Sequence, residues 1–268
     1  MVIITTILGY YLGGRGLSDP LKLMFLLIGA ALVCSGSAVL NHYVERDFDA
    51  KMLRTKNRPL PQGIIAPADA LSFGIILTLI GLFILYVKTN QLTAFLSLLT
   101  TFLYVLVYTP LKRVSWINTT IGAIPGAIPP LGGWAAATGT LNFDAGILFL
   151  ILFIWQHPHF YAIAWMYRED YARGGFKMLP CVEPDGKSTF RQILLFSVLL
   201  IPVSAVPFLT GLSGKIYLTG ALVTGLCLLF IGQKLAASHT LQDARALLRA
   251  TVVYLPVILV LFIIDTQF

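Results

Sequence analysis

Residues 21–44, LKLMFLLIGAALVCSGSAVLNHYV, carry one lysine and no acid, then give way at 45–59 to ERDFDAKMLRTKNRP. At 1.5 Å per residue the apolar run is long enough to cross a ~30 Å hydrocarbon core. It is too long and too evenly apolar for the one-sided stripe of a soluble helix. Its sudden charged end reads as a membrane–water boundary. That one stretch sets the fold class: a helix that spans a bilayer and carries its chemistry at its polar end.

The rest of the chain agrees. Of its 268 residues 57% are hydrophobic and only 12% charged, against about 25% charged in an ordinary soluble domain. The ~20-residue criterion gives about nine apolar segments, near 1–13, 21–44, 68–87, 92–109, 117–137, 145–167, 192–211, 216–233 and 249–268. The expectation is an all-α, polytopic membrane bundle of about nine helices forming one intramembrane domain over 1–268. The first segment would rise only about 20 Å, so either the chain begins mid-helix or a piece before it is missing. No basic region precedes it, as a secretory signal peptide would require.

Loops alternate in character. Residues 45–67, 110–116, 168–191 and 234–249 are long and charged; 14–20, 88–91, 138–144 and 212–215 are short and nearly neutral. Of the 19 basic residues, all but Arg15, Lys22, Lys88 and Lys215 fall in the first set. The positive-inside rule then places the charged loops and the N-terminus in the cytosol and the C-terminus outside. The net charge of +7 therefore reports topology, and nucleic acid is not an expected partner. The two largest charged loops follow segments two and six. This suggests a four-helix repeat, with halves near 1–116 and 117–237 plus a last helix. Cys34, Cys181 and Cys227 are scattered without ligand spacing, which argues against a disulfide scaffold, a zinc site or thiol chemistry.

In a continued helix Asn41, Glu45 and Asp49 lie within about 80° of arc, on one face, and Asp47 points elsewhere. Three stacked oxygen side chains call for a cation. Mg²⁺ suits them, because it takes oxygen ligands and bridges one or two carboxylates to substrate phosphates. Arg54 and Arg58, one turn apart with Lys51 beside them, supply forks for phosphate oxygens. The plainer reading, a charged loop that only stops a helix, does not account for acids followed directly by arginines.

Three further groups carry candidates. Tyr108 and Lys112 are spaced i, i+4; Lys112 reads as a phosphate contact or as a snorkelling lysine. In Trp155-Gln-His157-Pro-His159-Phe160, polar residues interrupt an apolar helix, which usually marks function. The two histidines point about 200° apart, so a shared metal is not expected; haem contact, proton handling and packing all remain open for them. Asp170, Arg173 and Lys177 repeat the acid-then-base order. Between these groups, Gly122 to Trp134 is rich in Gly and Pro. It predicts a kinked or partly unwound helix, lining a cavity or packing closely through small residues.

On these residues the chain resembles the UbiA superfamily of intramembrane prenyltransferases. Asn-x3-Glu-x3-Asp followed by Met-x-Arg-Thr-Lys-Asn-Arg-Pro-Leu is similar to that family's first motif. Within it, the Tyr108–Arg113 run, the Gly/Pro run to Trp134, and Trp155–Phe160 through Asp170 to Pro180 resemble the branch that farnesylates haem. The resemblance implies nine helices around a central cavity open to the cytosolic side. It implies Mg²⁺ as cofactor, farnesyl diphosphate as donor, haem B as acceptor and haem O as product. Haem A synthase would be a possible downstream partner and a bacterial inner membrane the location. By resemblance, Asn41, Glu45, Asp49 and Asp170 hold the metal. Lys112, Arg54, Arg58, Lys51, Tyr108, Arg173 and Lys177 meet the substrate, as do His157 and His159. Three departures stand out: Glu45 where the superfamily usually has Asp, no basic stretch before the first helix, and a second motif without the doubled Asp. Competing readings are a prenyltransferase with another acceptor, a quinone precursor or chlorophyllide, and a secondary transporter, which shares broken helices and intramembrane polar groups.

Overall fold

The computed structural model describes residues 1–267; Phe268, the end of the expected last segment, lies outside them. Twelve helices follow in order: α1 (Val2–Gly13), α2 (Pro20–Asp49), α3 (Pro67–Lys88), α4 (Gln91–Leu111), α5 (Asn118–Ala127), α6 (Pro129–Thr138), α7 (Phe143–Met166), α8 (Arg168–Arg173), α9 (Leu179–Val182), α10 (Lys187–Leu209), α11 (Lys215–Ser238) and α12 (Leu241–Asp265). The described residues hold no strand beyond a single bridge between Ser213 and Thr266.

Among the described residues seven helices (α2, α3, α4, α7, α10, α11 and α12) are long and apolar enough to span a membrane. The short α1 and the broken pair α5–α6 complete the expected nine segments. Side chains that accept backbone N–H groups fix several starts: Asp19 for α2, Asn90 for α4, Asn142 for α7 and Thr240 for α12. At 30 residues α2 rises about 45 Å, so it outruns the hydrocarbon and carries its last turns beyond it.

The bundle is organised around α7. Of its apolar window 67% is buried, against 28% for α2, α3, α4, α10 and α11. Two peripheral contacts depend on glycine. A Cβ on Gly9 of α1 would fall 2.0 Å from the Pro130 carbonyl oxygen, and one on Gly36 of α2 would fall 2.3 Å from Thr78 Oγ1. These backbones touch because small residues allow it, the usual device where lipid gives helices no hydrophobic reason to associate.

The Gly/Pro segment is both broken and closely packed. Pro129 and Pro130 lack N–H groups, which ends α5 at Ala127 and restarts the chain as α6. Gln156 of α7 lies against the break: its Nε2 donates to the Ala123 carbonyl at 3.2 Å, and a Cβ on Gly126 would strike its Oε1. In α4, Pro110 has no N–H for the Leu106 carbonyl, and the helix loosens to π geometry over Phe102–Tyr108.

Two expected boundaries move. Residues 234–249 are not a loop: α11 runs to Ser238, α12 starts at Leu241, and the turn is His239-Thr240. Likewise α10 begins at Lys187, five residues before the apolar segment, and 168–191 contains α8 and α9. Charged side chains mark where a helix leaves lipid, not where it ends.

Candidate active site

The helix α2 has two characters along its length. Leu26, Ala30, Val33 and Ser37 line a cavity of about 470 Å³. Beyond them α2 carries Asn41, Glu45 and Asp49, at 5%, 5% and 1% exposure and outside the cavity lining itself. The spacing of three and four residues that makes the lower part an apolar wall makes the upper part an acidic ladder. Asp47, off the ladder's face, is exposed and pairs with Arg46 at 3.7 Å.

Each ladder residue has a partner from elsewhere in the fold. Asn41 donates through Nδ2 to Thr109 Oγ1 at 2.9 Å, and Thr109 donates to the Tyr104 carbonyl at 2.8 Å. The π stretch thus sets the carboxamide. Glu45 Oε1 lies 2.8 Å from Lys112 Nζ. Arg58 donates to Asp49 Oδ2 at 2.7 Å, and Thr55 Oγ1 donates to the Asp49 carbonyl at 3.0 Å. The Lys112 ammonium also sits 4.5 Å over the Tyr108 ring. Burial works against its charge, but Tyr108 and Glu45 outweigh burial and hold its pKa above the usual lysine range.

Lys112, Tyr108, Arg54 and Tyr171 stand at the charged end of the cavity. The Arg54 guanidinium lies 5.0 Å over Tyr167 and 5.3 Å over Tyr171, and it donates to the Tyr171 hydroxyl at 3.2 Å. Farther in, the wall is Gly122, Pro125 and Gly126 of the broken helix, with Gln156 and Phe160 of α7.

Other expected residues are placed differently. Asp170 meets the loop that follows the ladder. Its Oδ1 accepts from the Leu53 N–H at 2.7 Å and from Arg173 at 3.1 Å, and its Oδ2 accepts from the Arg54 N–H at 3.1 Å. This carboxylate fastens α8 to the loop after α2, and its oxygens are engaged there. Arg173 serves that clasp. Lys177 contributes backbone: its N–H donates to the Lys112 carbonyl at 2.7 Å, while its side chain is exposed. Lys51 is exposed, 5.6 Å over Phe48.

The two histidines diverge as their spacing requires. His157 is fully buried, bonded to the Phe153 carbonyl at 2.8 Å and stacked on Phe196. His159 faces α12, bonded to Thr251 Oγ1 at 2.9 Å and stacked on Trp155. Neither lines the cavity; Gln156 and Phe160 do. The sequence reading gave no role to Ser37, Tyr104, Thr109 or Tyr171. Ser37 and Tyr104 were within reach of it, each one turn before a residue already singled out. Thr109 and Tyr171 enter only through tertiary contact.

Among the described residues no three His, Cys, Asp or Glu side chains converge as a metal cluster. Two buried carboxylates and a carboxamide on one face still form a hard-oxygen donor set. It fits a Mg²⁺ ion that completes its shell with water and phosphate oxygens. Softer metals are not suited to it.

Known proteins are similar throughout. The pattern of the UbiA prenyltransferase family matches residues 2–255. Chains called protoheme IX farnesyltransferase from Solibacter usitatus, Salinibacter ruber and Koribacter versatilis are 47%, 44% and 40% identical. Each match covers 99% of this chain, and 94%, 94% and 89% of theirs. A structure of a digeranylgeranylglyceryl phosphate synthase superposes with a TM-score of 0.83 at 20% identity, covering 98% of this chain and 92% of its own. A UbiA homologue from Archaeoglobus fulgidus, bound to DMAPP and Mg²⁺, superposes with a TM-score of 0.72 at 17% identity, covering 96% and 95%.

Proposed function

The chain belongs to the UbiA prenyltransferase family, and we propose that it transfers the farnesyl group of farnesyl diphosphate to a vinyl group of haem B, making haem O. One observation supports this most: α2 carries the apolar wall of the cavity and, in its last turns, the buried acidic ladder, whose partner Lys112 lines that cavity. A farnesyl chain matches the first and a metal-bound diphosphate the second. The charged groups gather at one end of the bundle rather than at mid-depth, where a transporter would bind its substrate.

Asn41, Glu45 and Asp49 would hold Mg²⁺, which when bound neutralises the leaving diphosphate as the C1–O bond breaks. Lys112, Arg54 and Arg58 bind phosphate oxygens and stabilise the same developing charge. Tyr104, Tyr108 and Phe160 line the cavity, and an allylic cation gains from aromatic rings close to it. The apolar wall keeps water from that cation until the haem vinyl carbon has attacked it. Water then adds to the other vinyl carbon and loses a proton, leaving a hydroxyethylfarnesyl group and free diphosphate.

The protein is an integral multi-pass membrane protein. We place it in the bacterial inner membrane with its charged loops and N-terminus in the cytosol, following the basic residues. Of its two halves, near 1–116 and 117–237 and followed by a last helix, the first brings the charged loops 45–67 and 110–116 to the site and the second brings 168–191. Haem A synthase is the natural consumer of the product. The test is incubation in membranes with haem B, farnesyl diphosphate and Mg²⁺, followed by mass analysis of the haem. Haem O with an equal amount of diphosphate is expected. Unchanged haem, with farnesylation of a quinone precursor instead, would overturn the acceptor.

A further inference from the structure

We infer that Lys112 and Arg58 make the binding of a divalent cation and of the prenyl diphosphate mutually dependent, so that neither binds well alone. This rests on the diphosphate reading above.

Both ladder carboxylates already have a basic partner. Lys112 Nζ is 2.8 Å from Glu45 Oε1, and Arg58 donates to Asp49 Oδ2 at 2.7 Å. The acids are deep, at 7% and 1% side-chain exposure, whereas Lys112 and Arg58 are at 14% and 35%. The acids are thus fixed on the helix face, and the bases are the partners with room to leave. Lys112 already stands on the cavity.

Two carboxylates and two bases are neutral together. A divalent cation entering alone would compete for the same oxygens and leave a surplus of positive charge in a poorly solvated place. A diphosphate entering alone would draw the bases away and leave buried carboxylates facing an anion. When both arrive, the cation takes Glu45 and Asp49, and the bases turn onto phosphate oxygens as charge-assisted donors. Neutral when empty, the group carries a full surplus of +2 with the cation alone and about −3 with the ionised diphosphate alone, but only about −1 with both. By linkage each ligand then tightens the other by the same factor. Farnesyl diphosphate would therefore meet its activating ion only when seated, which protects an empty site from binding cations without purpose.

The experiment uses the whole protein in proteoliposomes, with Mn²⁺ as probe. Bound Mn²⁺ is measured at fixed free Mn²⁺, with and without farnesyl diphosphate. About 10- to 100-fold tighter binding with the diphosphate is expected, in the ordinary range of such coupling. The reciprocal gain in farnesyl diphosphate affinity should match it. Lys112→Met or Arg58→Met should bind Mn²⁺ alone more tightly than wild type and show less coupling, whereas Lys112→Arg should keep it. Equal Mn²⁺ affinity with and without the diphosphate would overturn the inference while leaving the site intact, as would Met variants with unchanged affinity for Mn²⁺ alone. Binding of neither ligand by the wild type would overturn the site reading as well.

Discussion

The acidic face of α2 and the Asp170 turn of α8 meet at the same end of the bundle, and their carboxylates hold different things. Glu45 and Asp49 hold the side chains of Lys112 and Arg58. Asp170 holds two backbone N–H groups of the loop after α2, with Arg173 beside them. A side chain can rotate to a new partner when a ligand brings one. A backbone amide cannot leave without moving its loop. The first arrangement suits a site that must exchange partners, and the second suits a clasp that keeps Arg54 at the cavity.

Substitutions can break this contrast, and the largest effect is expected at Lys112. Lys112→Met leaves Glu45 buried without its counter-charge and removes a phosphate contact. Haem O formation, measured as kcat/KM, should fall about 100- to 1000-fold, the usual loss for one preorganised electrostatic group. Adding Glu45→Gln should lower it further, because in the loaded site Glu45 holds the cation while Lys112 holds a phosphate oxygen. Asp170→Ala should act next, by roughly 10-fold. It should appear mainly in the KM for farnesyl diphosphate, with faster proteolysis of 50–66 and little change in Mn²⁺ affinity. A large loss of Mn²⁺ affinity would instead make Asp170 a ligand. Arg58→Lys keeps the charge without the fork and should lower turnover a few-fold, to about a third. Lys177→Ala should be smallest, within about 2-fold, since only its backbone is engaged; a larger drop in turnover would restore its side chain to the site.

Much of the fold is legible in hydropathy, because a bilayer imposes span lengths directly. The Pro-rich break at Ile128 is legible too, since proline removes donors wherever it stands. The π stretch of α4 is less so: Pro110 announces a defect, but not that the defect would deliver Thr109 to Asn41. The turn at His239-Thr240 was missed because hydropathy sees lipid, not hydrogen bonds, and charged residues continue a helix past the membrane. In the site, the shared face of Asn41, Glu45 and Asp49 follows from helical periodicity alone. Their basic partners do not, because Lys112 comes from another helix. The acid-then-base order of 170–177 did not disclose Asp170's main partners for a related reason: backbone amides leave no trace in side-chain spacing.

Asp49 joins these strands, being the most buried acid of the ladder and the partner of Arg58. The most direct test is haem O formation by Asp49→Ala in membranes, with haem B, farnesyl diphosphate and saturating Mg²⁺, followed by mass analysis. If the acidic face of α2 holds the cation that activates the diphosphate, the rate falls at least about 100-fold while haem B is still bound. Haem O formation at the wild-type rate would contradict it.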